Sequence, residues 1–148
     1  MNEQELARNR IVDVARSWLG TPYHHGARVK GVGVDCGTLV AEVFTEAGVI
    51  PPVNISEYPH DFHLHRGEEL YLGYVRKHCW EVLDRDTIGV GDIIIWKIGR
   101  CFSHGGIYIG QGMMIHSALN VGVTLEEIKT NQYADREQKV FSVFAGAL

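Results

Sequence analysis

Apolar residues recur at the spacing of a helical face in the first half of the chain, and in short runs bounded by turn residues in the second. Leu6, Ile11, Val14, Ala15, Trp18 and Leu19 form one stripe, with Asn2 and Glu5 spaced as a capping box and Gly20 as the stop, which predicts a first helix. Thr21-Pro22-Tyr23 ends it, and a loop through His24, His25, Gly26, Gly31 and Gly33 leads to a second stripe. That stripe is Leu39, Val40, Val43, Phe44 and Ala47; Asp35 stands at the N-cap position and Gly48 at the stop, so Cys36 is the first helical residue. Residues 54–65 have no clean period and read as an irregular connection. Leu70, Tyr71, Tyr74, Val75 and His78 predict a third helix from Gly67 to about His78.

From Trp80 onward the period shortens. Strands are predicted at Trp80 to Leu83, Asp92 to Ile98, Gly105 to Ile109, Met113 to Ser117 and Val140 to Ala145. Ile93, Ile94, Ile95, Trp96 and Ile98 make the most continuously apolar run, which suits a central strand buried on both faces. Helices first and strands afterwards specify an α+β domain, with N-terminal helices on one side of a C-terminal antiparallel sheet of about five strands. At 148 residues without repeats or low-complexity linkers, one domain over 1–148 is expected.

Two histidines flank the predicted hairpin. If Gly110-Gln111-Gly112 is a three-residue loop, Ile109 faces Met113, and His104 and His116 share one sheet face as diagonal neighbours. A two-residue turn would shift the pairing by one and put them on opposite faces. The apolar pattern favours the first choice, because Ile107, Ile109, Met113 and Ile115 then share the other face. Tyr108 and Met114, on the histidine face, leave the alternation imperfect. Spacing alone equally allows two unrelated polar residues on a half-exposed sheet.

Net charge is −4 and 45% of residues are hydrophobic, which gives neither the basic field of a nucleic-acid binder nor the composition of a disordered chain. The N-terminus mixes charges of both signs without an apolar stretch, and no later run could span a bilayer. Cytoplasmic synthesis without a signal peptide is the expectation. Cys36, Cys79 and Cys101 have no framework spacing and read as thiols.

At a helix N-terminus, unpaired N–H groups and the positive dipole end favour a thiolate, so Cys36 is expected to titrate below the ordinary ~8.5 of a free thiol. The bland alternative is a small buried hydrophobe. A cysteine nucleophile needs a base, and there are eight histidines to choose from. His60, His63, His65 and His78 lie in polar or weakly periodic surroundings and read as exposed. His24 and His25 border the loop as candidate site walls. His104 and His116 supply a base and a residue that orients it. Zinc could take Cys36, His104 and His116 with His24, His25 or water, but the short paired spacings of structural zinc sites are missing.

Five segments in order carry a resemblance: Thr21-Pro22-Tyr23, Asp35 to Val40, Val90 to Ile94, Ser103 to Gly110 and Met114 to His116. Together they resemble the motifs of the NlpC family of bacterial cell-wall cysteine peptidases, over roughly residues 8–120. The resemblance implies a papain-like core with Cys36 as nucleophile, His104 as base and His116 as third residue. It implies Tyr23, Asp35, Gly37 and Ser103 as substrate-binding or oxyanion positions, with Asp35 receiving the free amine of a stem peptide. Asp35 is equally readable as the helix cap alone. The implied reaction is hydrolysis of peptidoglycan stem peptides at the bond between D-γ-glutamate and a diamino acid, through an acyl-enzyme and without a cofactor.

Two departures qualify it. Gly37 stands where the family commonly has serine, and His24-His25-Gly26-Ala27 replaces the usual Trp-Gly-Gly, with extra residues before the cysteine. The latter loop looks closest to the phage and gene-transfer-agent branch, which implies tail proteins as partners and delivery to the cell wall by a particle or by lysis. The competing readings are a tail structural or assembly subunit with weakened catalysis, and acyl transfer by the same site.

Overall fold

The computed structural model describes residues 1–54 and 70–144. Helix α1 (Glu3–Ser17) starts at Asn2, whose side chain accepts from the Glu5 N–H at 2.8 Å. It buries Ala7, Ile11 and Ala15, with Trp18 at its C-cap, while Leu6 and Leu19 fall outside the buried stripe and are exposed. The helix closes early because Trp18 and Leu19 bond back three residues, and Gly20 then turns with φ +87° to donate to the Val123 carbonyl. A two-stranded ribbon, β1 (Arg28–Val29) and β2 (Gly33–Val34), which the pattern does not predict, fills the loop before helix α2 (Cys36–Glu46).

All five stripe residues of α2 are buried, as the period requires. Helix α3 spans Leu70–Arg76, shorter than the expected 67–78. Residues 67–69 lie outside the described residues, as do most of the irregular 54–65 connection and His60, His63 and His65.

The strands are β3 (Trp80–Val82), β4 (Ile93–Ile98), β5 (Cys101–Gly110), β6 (Met113–Ala118), β7 (Gly122–Glu127) and β8 (Gln138–Ser142). They form one antiparallel sheet in the order β3-β8-β4-β5-β6-β7, with the helices on one face, so the α+β architecture stands. The strand absent from the sequence reading is β7. It is a half-exposed edge whose only fully buried residues are Gly122 and Val123, too little apolar alternation to announce a strand. Central strand β4 is buried on both faces. Ile93 and Ile95 join Leu39 and Phe44 under the helices, and Ile94 and Trp96 join Val82, Met114 and Val140 on the other side. This second apolar layer explains why Tyr108 and Met114 can sit on the histidine face.

The β5–β6 hairpin corrects the expected turn but keeps its consequence. Ile107 pairs with Ile115 and Tyr108 with Met114, and then Gly110 pairs with Met113. Ile109 is therefore an extra residue in a bulge, not the partner of Met113. The turn is the two-residue Gln111–Gly112, with φ 54° and 75°, both in the left-handed region that such tight hairpins require. Bulge and short turn each shift the pairing by one and cancel, leaving His104 and His116 on one face.

Candidate active site

The Cys36 side of the site is built by a cap. The Asp35 carboxylate accepts from the backbone N–H groups of Gly37 and Thr38, both at 2.9 Å, and the Thr38 hydroxyl accepts from the Asp35 N–H at 2.9 Å. Its second oxygen accepts from the Gly26 N–H at 2.7 Å, with His25 Nδ1 3.8 Å away. Asp35 is 1% exposed, so these bonds replace its hydration and fix where Cys36 starts the helix. The Cys36 thiol donates to the Ser103 carbonyl at 3.3 Å. Ser103 is the extra residue where the β4–β5 register shifts between Trp96 and Lys97, which places that carbonyl beside the sulfur. Tyr71 of α3 donates its hydroxyl to the Cys36 carbonyl at 3.2 Å and lays its ring over Gly37 and Gly105, where a Cβ would meet it at 3.4 Å and 2.2 Å respectively.

The expectation of a thiol titrating below its ordinary range is corrected. Removal from water pushes the Cys36 thiol up to about 12, and the nearby Asp35 carboxylate adds to this. N–H groups of Gly105, Cys36 and Gly37 pull the other way without overcoming it. The helix end is present, but its cap is an anion and the sulfur is poorly solvated.

The His104 side of the site is built by register. His104 Nε2 lies 2.8 Å from His116 Nδ1, and the two rings meet edge to face with centroids 5.0 Å apart. His116 Nε2 lies 3.1 Å from Glu126 Oε1 on β7. Tyr133 stacks on His104 at 4.3 Å between centroids, and Trp96 flanks it at 6.2 Å. Burial, reinforced by His116, lowers His104 from 6.5 to about 3, so its imidazole is neutral across the ordinary pH range. Burial also lowers His116, opposed by the Glu126 carboxylate.

A cavity of about 280 Å³ joins the two sides, lined by Cys36, His104, Ser103, Tyr23, Asp35 and His25 among others. Gly37 is at its wall, and so is His78, which is half-buried rather than exposed. Burial together with Cys36 and Asp35 raises the Tyr23 hydroxyl, keeping it protonated as a donor. His24 is not a wall. Its side chain packs over Gly33 in the β1–β2 ribbon, and its backbone is tied to Val34 at 3.1 Å. Glu126 and Tyr133 are the residues the sequence reading missed; Glu126 follows from strand β7 once its pairing with β6 is known, and Tyr133 lies in the turns beyond that strand, where its N–H donates to Asn131 Oδ1 at 2.8 Å. Among the described residues no three His, Cys, Asp or Glu side chains cluster to hold a metal, and His104 and His116 turn their facing nitrogens on each other. Among the described residues Cys36, Cys79 and Cys101 form no disulfide, and Cys101 is buried.

The family model described as NlpC/P60 matches residues 20–142. The murein DD-endopeptidase/LD-carboxypeptidase MepS of Escherichia coli K12 is 24% identical over 129 residues, which cover 87% of this chain and 59% of MepS. A γ-DL-glutamyl hydrolase of Bacillus subtilis is 27% identical over 135 residues, 88% of this chain and 28% of the relative. The chain thus spans well under two thirds of the length of these relatives. Among solved structures, the NlpC/P60 domain of the peptidoglycan hydrolase SagA superposes with a TM-score of 0.64 at 19% identity, covering 90% of this chain and 97% of that one. The peptidoglycan hydrolase RipB of Mycobacterium tuberculosis superposes with a TM-score of 0.65 at 21% identity, covering 97% and 68%. With the family match spanning most of its length, and Cys36 and His104 lining one cavity, the chain belongs to the NlpC/P60 family of cysteine peptidase domains.

Proposed function

We propose that this chain hydrolyses peptidoglycan stem peptides with Cys36 as nucleophile, His104 as general base and His116 as the residue that orients it. The observation that carries the reading is the 2.8 Å bond from His104 Nε2 to His116 Nδ1 in a cavity shared with Cys36. That bond engages Nε2 of His104, and Nδ1 is the nitrogen this reading assigns to the thiol. Both partners are neutral at rest, so the proton moves during attack: sulfur bonds to the carbonyl carbon as the S–H proton passes to His104 Nδ1. The Cys36 N–H and the protonated Tyr23 hydroxyl stabilise the oxyanion. As the C–N bond breaks, His104 returns the proton to the leaving amine. It then takes a proton from the water that hydrolyses the thioester.

The scissile bond in this reading joins D-γ-glutamate to a diamino acid. It is supported by the γ-glutamyl specificity in the name of the Bacillus relative and by the anionic Asp35 at the cavity wall, which suits a free amine. The affiliation with tail-associated members, and delivery by a particle or by lysis, rest on the His24-His25-Gly26-Ala27 loop alone. The test is incubation with L-Ala-γ-D-Glu-diaminopimelate, comparing the native chain with Cys36→Ala. Cleavage by the first and not the second is expected. Absent cleavage, with thiol reagents showing no preference for Cys36, overturns the reading and leaves a catalytically silent subunit.

A further inference from the structure

The histidine pair does not end at His116. On β6 and β7, His116 is directly opposite Thr124, and Glu126 is its diagonal neighbour, the same relation that brings His104 to His116 across β5 and β6. His116 is 0% exposed, whereas the Glu126 side chain is 33% exposed, so a line of hydrogen bonds runs from the cavity through a wholly buried ring to the surface. An imidazole between two partners must choose which nitrogen bears the proton. A carboxylate has only acceptors to offer, so the nitrogen facing Glu126 is the donor. His116 Nε2 therefore holds the hydrogen, and its Nδ1 accepts from His104 Nε2–H. The remaining nitrogen of His104, Nδ1, is then a bare lone pair. Without the carboxylate, nothing in these bonds stops the opposite arrangement, in which His104 Nδ1 carries the proton and cannot take another.

We propose that Glu126 is a positioning residue that fixes the tautomers of His116 and His104, and so sets His104 up as the base. The inference rests on the assignment of Cys36 and His104 above. Glu126 touches neither the nucleophile nor the cavity. It acts only through His116, and the alternative role for it is a surface ion pair that affects stability alone.

The test combines hydrolysis of the tripeptide, alkylation of Cys36 by iodoacetamide followed at the Cys36 peptide by mass spectrometry, and ring-nitrogen NMR of His116 in Glu126→Ala, Glu126→Gln and His104→Ala. Glu126→Ala is expected to lower kcat by about 10- to 100-fold, with KM changed by less than about 2-fold, as for residues that orient a reacting ring through a hydrogen bond. It should slow Cys36 alkylation in parallel and shift the His116 proton away from Nε2. Glu126→Gln, whose amide oxygen still accepts, should recover most of the rate and the native tautomer. A Glu126→Ala chain with native kcat and native His116 tautomer overturns the inference while His104→Ala still abolishes activity. If His104→Ala leaves both alkylation and hydrolysis unchanged, the assignment of the site itself fails, and the inference with it.

Discussion

At the N-terminus of α2, the geometry around Cys36 is set by residue types at short fixed offsets: an aspartate, a threonine three residues on and a glycine nine residues back. Across the cavity, the geometry around His104 is set by how strands are counted against one another, through His116 on β6 and Glu126 on β7. The first arrangement survives changes elsewhere as long as its few residues keep their identities. The second depends on every residue between the paired positions, because the side-chain period of a strand is two. A site assembled from both can lose its chemistry in two different ways, by a wrong side chain on one side or by a wrong length on the other.

Substitutions at the two sides should sort accordingly. His104→Ala is expected to have the largest effect, a loss of about 10³-fold or more in kcat/KM on the tripeptide, with the urea midpoint lowered by the loss of a buried ring bonded to His116. Combining it with Cys36→Ala should add nothing, since the two act as a unit. Gly122→Ala tests the seam where the loop after α1 meets β7. It has φ +95°, and a Cβ there would lie 2.5 Å from the Thr21 carbonyl oxygen. A loss of about 3 kcal/mol in stability by urea titration is expected. If that variant kept native stability, the two sides would be less firmly joined than the Val123–Thr21 bond of 2.9 Å implies.

Asp35→Ala should cost about 2 kcal/mol by the same measurement, through loss of the cap and of the Gly26 bond. Asp35→Asn, whose one oxygen can keep the Gly37 and Thr38 bonds while its NH2 meets the Gly26 N–H as donor to donor, should recover only the share of the cap and leave any amine recognition impaired, visible as a raised KM. The next effect is one of pH. His104 is held at about 3 in the folded chain against 6.5 ordinarily, so between these values the unfolded chain binds a proton that the folded one refuses. Its contribution to stability is whole above 6.5 and is lost as the pH falls toward 3, with a slope of up to ~1.4 kcal/mol per pH unit. His104→Gln should be correspondingly less sensitive to acid, as urea midpoints at two pH values would show. Smallest of all, His24→Ala should leave activity unchanged and stability within ~0.5 kcal/mol; a large loss of activity would return His24 to the site wall.

How legible each side was follows from the same difference. The cap, the start of α2 at Cys36 and the buried stripe from Leu39 to Ala47 were readable because a helix declares itself through residue types at fixed spacing. The shared face of His104 and His116 was readable only through parity, and the loop assigned to it was wrong in detail. A bulge at Ile109 offset the shorter turn, and nothing in Gly-Gln-Gly separates the two solutions. Glu126 was out of reach because β7 is a weakly alternating edge strand, and Tyr133 because it lies in turns between β7 and β8 that no periodicity marks. The lowered thiol pKa expected of Cys36 failed for another reason: position on a helix is visible in a sequence, whereas the dryness of the surroundings and a neighbouring anion are properties of the packed site.

The bulge at Ile109 also gives this hairpin something like a reading frame. Insertion or deletion of a single residue within the strands, between His104 and Gly110 or between Met113 and His116, would turn one imidazole to the far side of the sheet unless a further bulge absorbed it, while a change of two would bring it back. Relatives of this chain could therefore vary the turn between Gly110 and Met113 freely in sequence and in length, whereas an odd change within either strand must carry a second compensating bulge if activity is kept.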